Sequence, residues 1–289
     1  MSFVLEPRAD QGVDLVVTGD WSMAAREALV TGRADGLVLN YAKGFREQPI
    51  DFIEGLPIRK LDLLARSVSD LSPVYSLGST LEELRVQSDP RAAIDLENLP
   101  RLRTLAASWP QVRSSILFAP QIEDLAVPSY SESNLEPLST LTSLTSLVMK
   151  ERPKLRSLDG LEAFPWLTRL GVFLASGLVD ISAVERSQAP ALQVLQLQAC
   201  RKIPDIAPVA DCASLRFFDL SEGGEVPTLA PLGGLVTLER LYLYDSTKVA
   251  DGDLSPIAGL PRLKDFRMQN RRGYSPSVKE IQEAIARRG

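Results

Sequence analysis

The sequence predicts an α/β solenoid, with a parallel β-sheet on a concave face and short 3-10 or irregular segments on a convex face. Three observations predict it. A block reading L-x-x-L-x-L recurs every 20 to 25 residues, in eleven copies. Within each block the second and third apolar residues stand two apart, which puts both on one face of a strand. A second apolar series follows each block at a spacing of three, which suits a tight 3-10 turn. Self-similarity at this period means coils that stack, each burying its leucines against the next. One coil alone cannot offset the entropy of ordering its own backbone, so stability has to come from the stacking.

The elements follow in order. Val13 to Val17 is apolar and β-prone. Ser22 can cap a helix from about Met23 to Val30, with Gly32 as its stop. The first repeat strand is expected at about Gly36 to Asn40. The blocks begin at 34, 58, 81, 102, 122, 144, 167, 192, 215, 238 and 263. The clearest are Leu81-Leu84-Val86, Leu144-Leu147-Met149, Leu192-Leu195-Leu197 and Leu238-Leu241-Leu243. The ninth carries Phe218 at its second apolar slot, and the last carries Phe266 and Met268. The return series is plain in Leu155, Leu158, Leu161 and Phe164, in Ile203, Ile206, Val209 and Cys212, and in Val226, Leu229, Leu232 and Leu235. At the C-terminal end, Ser275-Pro276 and the box Ser277-x-x-Glu280 signal a helix start. Val278, Ile281 and Ile285 form one apolar stripe on that helix. The expected organisation is an N-terminal β-α cap over 1–33, about eleven repeats over 34–272 and a C-terminal capping helix over 273–289.

The eighth copy runs Leu192-Gln-Val-Leu195-Gln-Leu197-Gln-Ala-Cys200-Arg-Lys-Ile203-Pro-Asp-Ile206-Ala-Pro208-Val209. On these residues the chain resembles the leucine-rich repeat proteins, of the short internalin-like kind. The resemblance covers about 34 to 270 and implies a right-handed superhelix with a protein-binding concave face. The chain departs from the pattern at one slot. Where most such families place Asn or Cys, it holds Ala42, Arg66, Asp89, Pro110, Tyr130, Arg152, Ala175, Cys200, Gly223, Ser246 and Arg271. Water or neighbouring backbone must then satisfy the corner, and irregular curvature is expected near Trp109-Pro110 and Pro128.

Composition narrows the function. The 289 residues carry a net charge of −5, which argues against nucleic acid or an anionic membrane as partner. No apolar stretch approaches the roughly 18 residues of a membrane span. The opening residues lack a basic segment followed by an apolar core, so a cytoplasmic protein is expected. Arg outnumbers Lys 24 to 8, an associational pointer to a bacterial source. Histidine is missing, which removes Ser-His and Cys-His nucleophile pairs. Asp245 with Asp251-Gly252-Asp253 makes an acidic corner that reads as a solvated turn, without the order of a calcium loop. Cys200 and Cys212 read as small buried residues and match no zinc spacing. No catalytic group, cofactor or metal site is expected.

The register places residues that alternate with the leucines on the concave face. Six cations and five anions nearly balance there, so the face is no phosphate track. Large residues gather in copies seven to ten: Phe173, Phe217, Tyr242 and Tyr244, bordered by Arg169, Arg240, Arg267 and Asp219. Aromatic residues with arginine are the usual makings of a protein-binding hot spot. The expected function is a non-catalytic scaffold that grips another protein. The alternative is a bacterial immunity or inhibitor protein that occludes a toxin or enzyme.

Overall fold

The computed structural model describes residues 2–46, 49–187 and 191–288. The chain divides into two compact units, Met1–Val127 and Pro128–Gly289.

In the first unit, strand β1 (Phe3–Pro7) pairs antiparallel with β2 (Val13–Val17), a hairpin whose first strand the repeat pattern does not reveal. Helix α1 (Met23–Val30) follows, with Ser22 Oγ accepting from Ala25 N at 3.3 Å and Gly32 at a φ of +73° just beyond its end. Strands β3 (Gly36–Asn40), β4 (Lys60–Leu64), β5 (Glu83–Gln87), β6 (Thr104–Ala106) and β7 (Asp124–Ala126) then add in parallel, each beside its sequence neighbour. Leucines two apart, such as Leu61 and Leu63, are fully buried. The region around Trp109-Pro110 forms a short helix, α2 (Trp109–Val112), with Ser108 Oγ donating to Gln111 Oε1 at 2.8 Å.

The second unit repeats the scheme. Strands β8 (Ser146–Met149), β9 (Arg169–Val172), β10 (Val194–Gln196) and β11 (Phe217–Asp219) are parallel and in register. A short helix, α3 (Ala183–Arg186), lies on a return segment between β9 and β10. A two-residue strand, β12 (Glu225–Val226), lies on the far corner. Beside β11 comes β13 (Arg240–Leu243), then β14 (Lys248–Val249), which pairs with β12 in a second small sheet. After helix α4 (Ser255–Ala258), strand β15 (Asp265–Met268) pairs with β13. Helix α5 (Val278–Ala286) lies against β15, with Val278 and Ile281 buried. Its Gln282 Nε2 donates to Phe266 O at 3.1 Å, and Arg288 donates to Leu260 O and Ala258 O at 2.8 Å each. The box expected at its start is formed: Ser277 N donates to Glu280 Oε2 at 2.7 Å.

The return series lies inside as the spacing predicts: Leu155, Leu158, Leu161 and Phe164 are buried, as are Ile203, Ile206, Val209 and Cys212. 3-10 turns form at Leu161–Ala163, Ala207–Val209 and Ala230–Leu232. The stacking leaves little room: a Cβ on Gly160, at a φ of +94°, would meet Glu136 N at 2.6 Å.

The polar ladder missing from the strand-end corner stands at the other corner. Asp70, Asp95, Asn134, Asp180, Asp205, Thr228 and Asp253 each accept the N–H two residues on, opening a return segment. Asp205 is the aspartate of the run Ile203-Pro204-Asp205-Ile206 in the eighth copy. At the strand-end corner, neighbouring backbone does the work. In the second unit Ser129, Leu174, Ala199 and Glu222 take positive φ, and their N–H groups donate to Lys150 O, Gln198 O, Ser221 O and Tyr244 O of the next coil. Side chains also help. Thr247 Oγ1, fully buried, donates to Leu220 O at 2.6 Å and accepts from Gly223 N at 2.9 Å. Gln111 Nε2, also buried, reaches Ser88 Oγ, Asp89 O and Ala92 O.

Candidate binding face

The face that matters lies on β9, β10, β11, β13 and β15 in the second unit. Because side chains alternate across a strand, Leu170, Leu195, Phe218, Leu241 and Phe266 point inward and are buried. The flanking residues line the other face in register rows. One row runs Arg169, Val194, Phe217, Arg240, Asp265, and the next runs Gly171, Gln196, Asp219, Tyr242, Arg267.

The eight residues expected on this face do lie on these strands or just past their ends, but they are not equally available. Phe217 is only 7% exposed and Asp219 only 6%, so neither presents a free surface. The physical reason is the packing of the row. The Arg240 guanidinium lies over the Phe217 ring, 4.3 Å from its centroid, and the Tyr242 ring meets Phe217 edge-on at 4.9 Å. Asp219 turns back, and its Oδ1 accepts Ser221 N at 2.9 Å. Tyr242 is half-buried, with its hydroxyl donating to Asp265 Oδ2 at 2.6 Å. That bond raises the tyrosine pKa. Arg267 stacks on Tyr242 at 4.5 Å and donates through Nε and Nη2 to Asp265, whose carboxyl it holds below the usual range. The aromatic group is therefore a self-packed floor.

What stands above the floor is narrower. Tyr244 is 61% exposed, and Arg169, Arg240 and Arg267 are exposed. Phe173 is half-buried, with Lys150 Nζ 5.8 Å from its ring centroid. Sequence reasoning missed Leu174, which is 47% exposed at a φ of +64°. A leucine held in the left-handed region and facing water is unusual, and such positions gather at functional sites. No local signal marked it, since Ser129, Ala199 and Glu222 hold the same conformation at the corresponding corners.

The first unit carries a different surface. Arg8 Nη1 and Lys60 Nζ both bind the Asp14 carboxylate, at 2.7 and 2.8 Å, and Arg8 Nη2 reaches Asp35 Oδ2 at 3.0 Å. Burial alone would lower the Arg8 pKa, but its bonds to Asp35, Asp10 and Asp14 raise it. Asp62, half-buried beside this group, has its carboxyl raised by desolvation, which Arg85 and Lys60 only partly oppose. On the flank, Arg59 pairs with Glu82 at 2.7 Å, and Arg103 pairs with Glu123.

The residues considered for chemistry have structural work. Asp251 Oδ1 accepts Asp253 N at 3.0 Å, and Asp253 Oδ1 accepts Ser255 N at 2.8 Å, so this acidic corner shapes a turn. Cys200 and Cys212 are buried free thiols, and burial pushes them up to about 12 and about 11. Among the described residues no group of three or more acidic or cysteine side chains gathers as metal ligands, and no helix is long and apolar enough to cross a membrane.

No family model matches the sequence, and no curated protein matches it. Solved structures do match its fold. The mouse RP105/MD-1 complex aligns over 88% of this chain and 45% of that chain, at 20% identity and a TM-score of 0.58. Internalin C2 of Listeria monocytogenes covers 63% of this chain and 78% of its own at 22% identity, TM-score 0.47. A leucine-rich repeat protein of Leptospira interrogans covers 94% and 87% at 14% identity, TM-score 0.45. With strand, turn and buried leucine recurring coil by coil in both units, the chain has the leucine-rich repeat fold.

Proposed function

We propose that the chain is a non-catalytic module that binds another protein through the strand face of its second unit. The observation that carries this reading is the exposure of Tyr244 and Leu174 above a floor locked by Phe217, Tyr242 and Asp265. Exposed apolar groups beside arginines, on a rigid support, lose little entropy when a partner covers them. The mouse structure of the same fold was solved as a complex of RP105 with MD-1, which agrees with a binding role.

The test is a pull-down from the source cells with mass spectrometry, run with the wild type, with Tyr244→Glu/Leu174→Glu, and with Asp211→Lys on the return side. Both variants are expected to keep the wild-type circular dichroism. The reading expects one protein retained by wild type and by Asp211→Lys and lost with the double variant. Equal retention by all three moves the site elsewhere.

A further inference from the structure

We propose that this face receives an extended acidic segment of the partner, with two carboxylates about four residues apart seated on Arg169 and Arg240. The proposal rests on the reading of the face as the binding surface and adds the chemistry of what binds.

The argument begins with donors and acceptors. Arg240 lies over the Phe217 ring, so a carboxylate can approach its N–H groups from the side. None of them makes a hydrogen bond among the described residues. Its register neighbour Asp265 has committed both oxygens, Oδ1 to Arg267 Nε at 3.1 Å and Oδ2 to Tyr242 and Arg267 Nη2 at 2.6 and 2.9 Å. Arg169 spends only Nη2, on Gln196 Oε1 at 3.2 Å. Asp219, the other anion of the face, is buried and bonded to backbone. Among the described residues of the two register rows, the face thus offers charged donors while both of its carboxylates are already bonded. Although the whole chain is acidic, this surface calls for an anionic occupant.

Register supplies the spacing. Arg169, Val194, Phe217 and Arg240 occupy one row on consecutive strands. Three strand steps span about 14 Å at about 4.8 Å each. An extended chain advances about 3.4 Å per residue, so about four residues bridge the two arginines. Side chains four apart in an extended segment point the same way, and so does the one midway. That middle side chain comes down beside the half-buried Val194, which selects an apolar residue. A nucleic acid is the rival polyanion. It is disfavoured because Val194 and Phe217 separate the two arginines of the row, where a continuous phosphate backbone would set charge on apolar side chains.

The test titrates the full isotope-labelled chain with synthetic peptides and follows backbone amide shifts. The probes are a peptide with glutamates four apart and a leucine midway, its lysine counterpart, a glutamate peptide with spacing three, and oligothymidylate. The expected result is that the first peptide shifts the amides of Val194, Phe217 and Arg240, and that its affinity falls at least about tenfold in both Arg240→Gln and Arg169→Gln. Arg169 does not pack on Phe217, so its variant separates lost recognition from a disturbed floor. Spacing three should bind more weakly. Equal binding of both glutamate spacings overturns the register argument. Stronger binding of the lysine peptide at these amides overturns the acidic occupant but leaves the binding face standing. Binding of oligothymidylate alone overturns the peptide. Silence from every probe overturns this proposal, while the pull-down separately decides the face.

Discussion

The guanidinium of Arg240 lies 4.3 Å from the centre of the Phe217 ring, and this one contact divides the aromatic cluster into support and surface. Phe217 is covered by its neighbours, whereas Tyr244, just past the end of the strand that carries Arg240, stands in water. The two aromatics should behave differently when truncated. Phe217→Ala removes a buried ring and should cost about 3 kcal/mol. Tyr244→Ala should change stability by no more than about 0.5 kcal/mol. Urea unfolding of the two variants checks this, and similar losses would mean that the rings share one environment.

Thr247 bridges two backbone groups at the strand-end corner, and no water can replace it because its side chain is fully buried. Thr247→Val keeps the shape and removes the hydroxyl, leaving Leu220 O and Gly223 N without this partner. Gly223 N keeps its 3.2 Å bond to Leu220 O, so the expected loss is about 1 kcal/mol, with faster hydrogen exchange at Gly223. Gln111→Leu should cost about as much in the first unit, because its amide serves the buried Ser88 hydroxyl and two carbonyls. Unchanged unfolding in either variant would show that the corners relax to find other partners.

Asp62 contributes a pH dependence to the first unit opposite in sign to that of Asp35, Glu82 and Asp89, whose carboxyls are lowered. Desolvation raises its folded pKa above the unfolded value, so the folded state holds its proton more tightly. Stability from this group is therefore full below about pH 3.8 and is lost as pH rises through the folded pKa. Arg85, Lys60 and Lys43 soften the penalty and Asp14 adds to it. Asp62→Asn should stabilise the chain at neutral pH and give little or nothing at pH 3. Equal melting temperatures for variant and wild type at both pH values would refute the assignment.

The thiols give a simple check on packing. Cys200 and Cys212 are pushed up to about 12 and about 11 by burial, so neither is a thiolate at neutral pH. A disulfide-exchange reagent should label neither in the native chain and both in denaturant. Prompt labelling of the folded protein would place at least one of them near solvent.

The sequence alone determined the coil. Leucines two apart and return residues three apart are local periodicities, and a chain with that pattern can bury them only by stacking strand on strand and turn on turn. The strands at Gly36–Asn40 and Asp265–Met268, and the capped helix at Val278–Ala286, were legible for that reason. Strand β1 was not, because its role is set by an antiparallel partner outside the repeat. Nor was the sorting of the candidate site. Register put Phe217, Asp219, Tyr242 and Tyr244 on one face, but only tertiary structure decided that Arg240 and Tyr242 would cover Phe217 and that Asp219 would turn back to Ser221. Leu174 escaped notice because a left-handed corner is dictated by the carbonyl of the next coil, Gln198 O, and not by the residue that occupies it. Which face a side chain takes is written in the period of its own strand. How much water it sees depends on the side chains of strands more than twenty residues away, and those meet only when the coils stack.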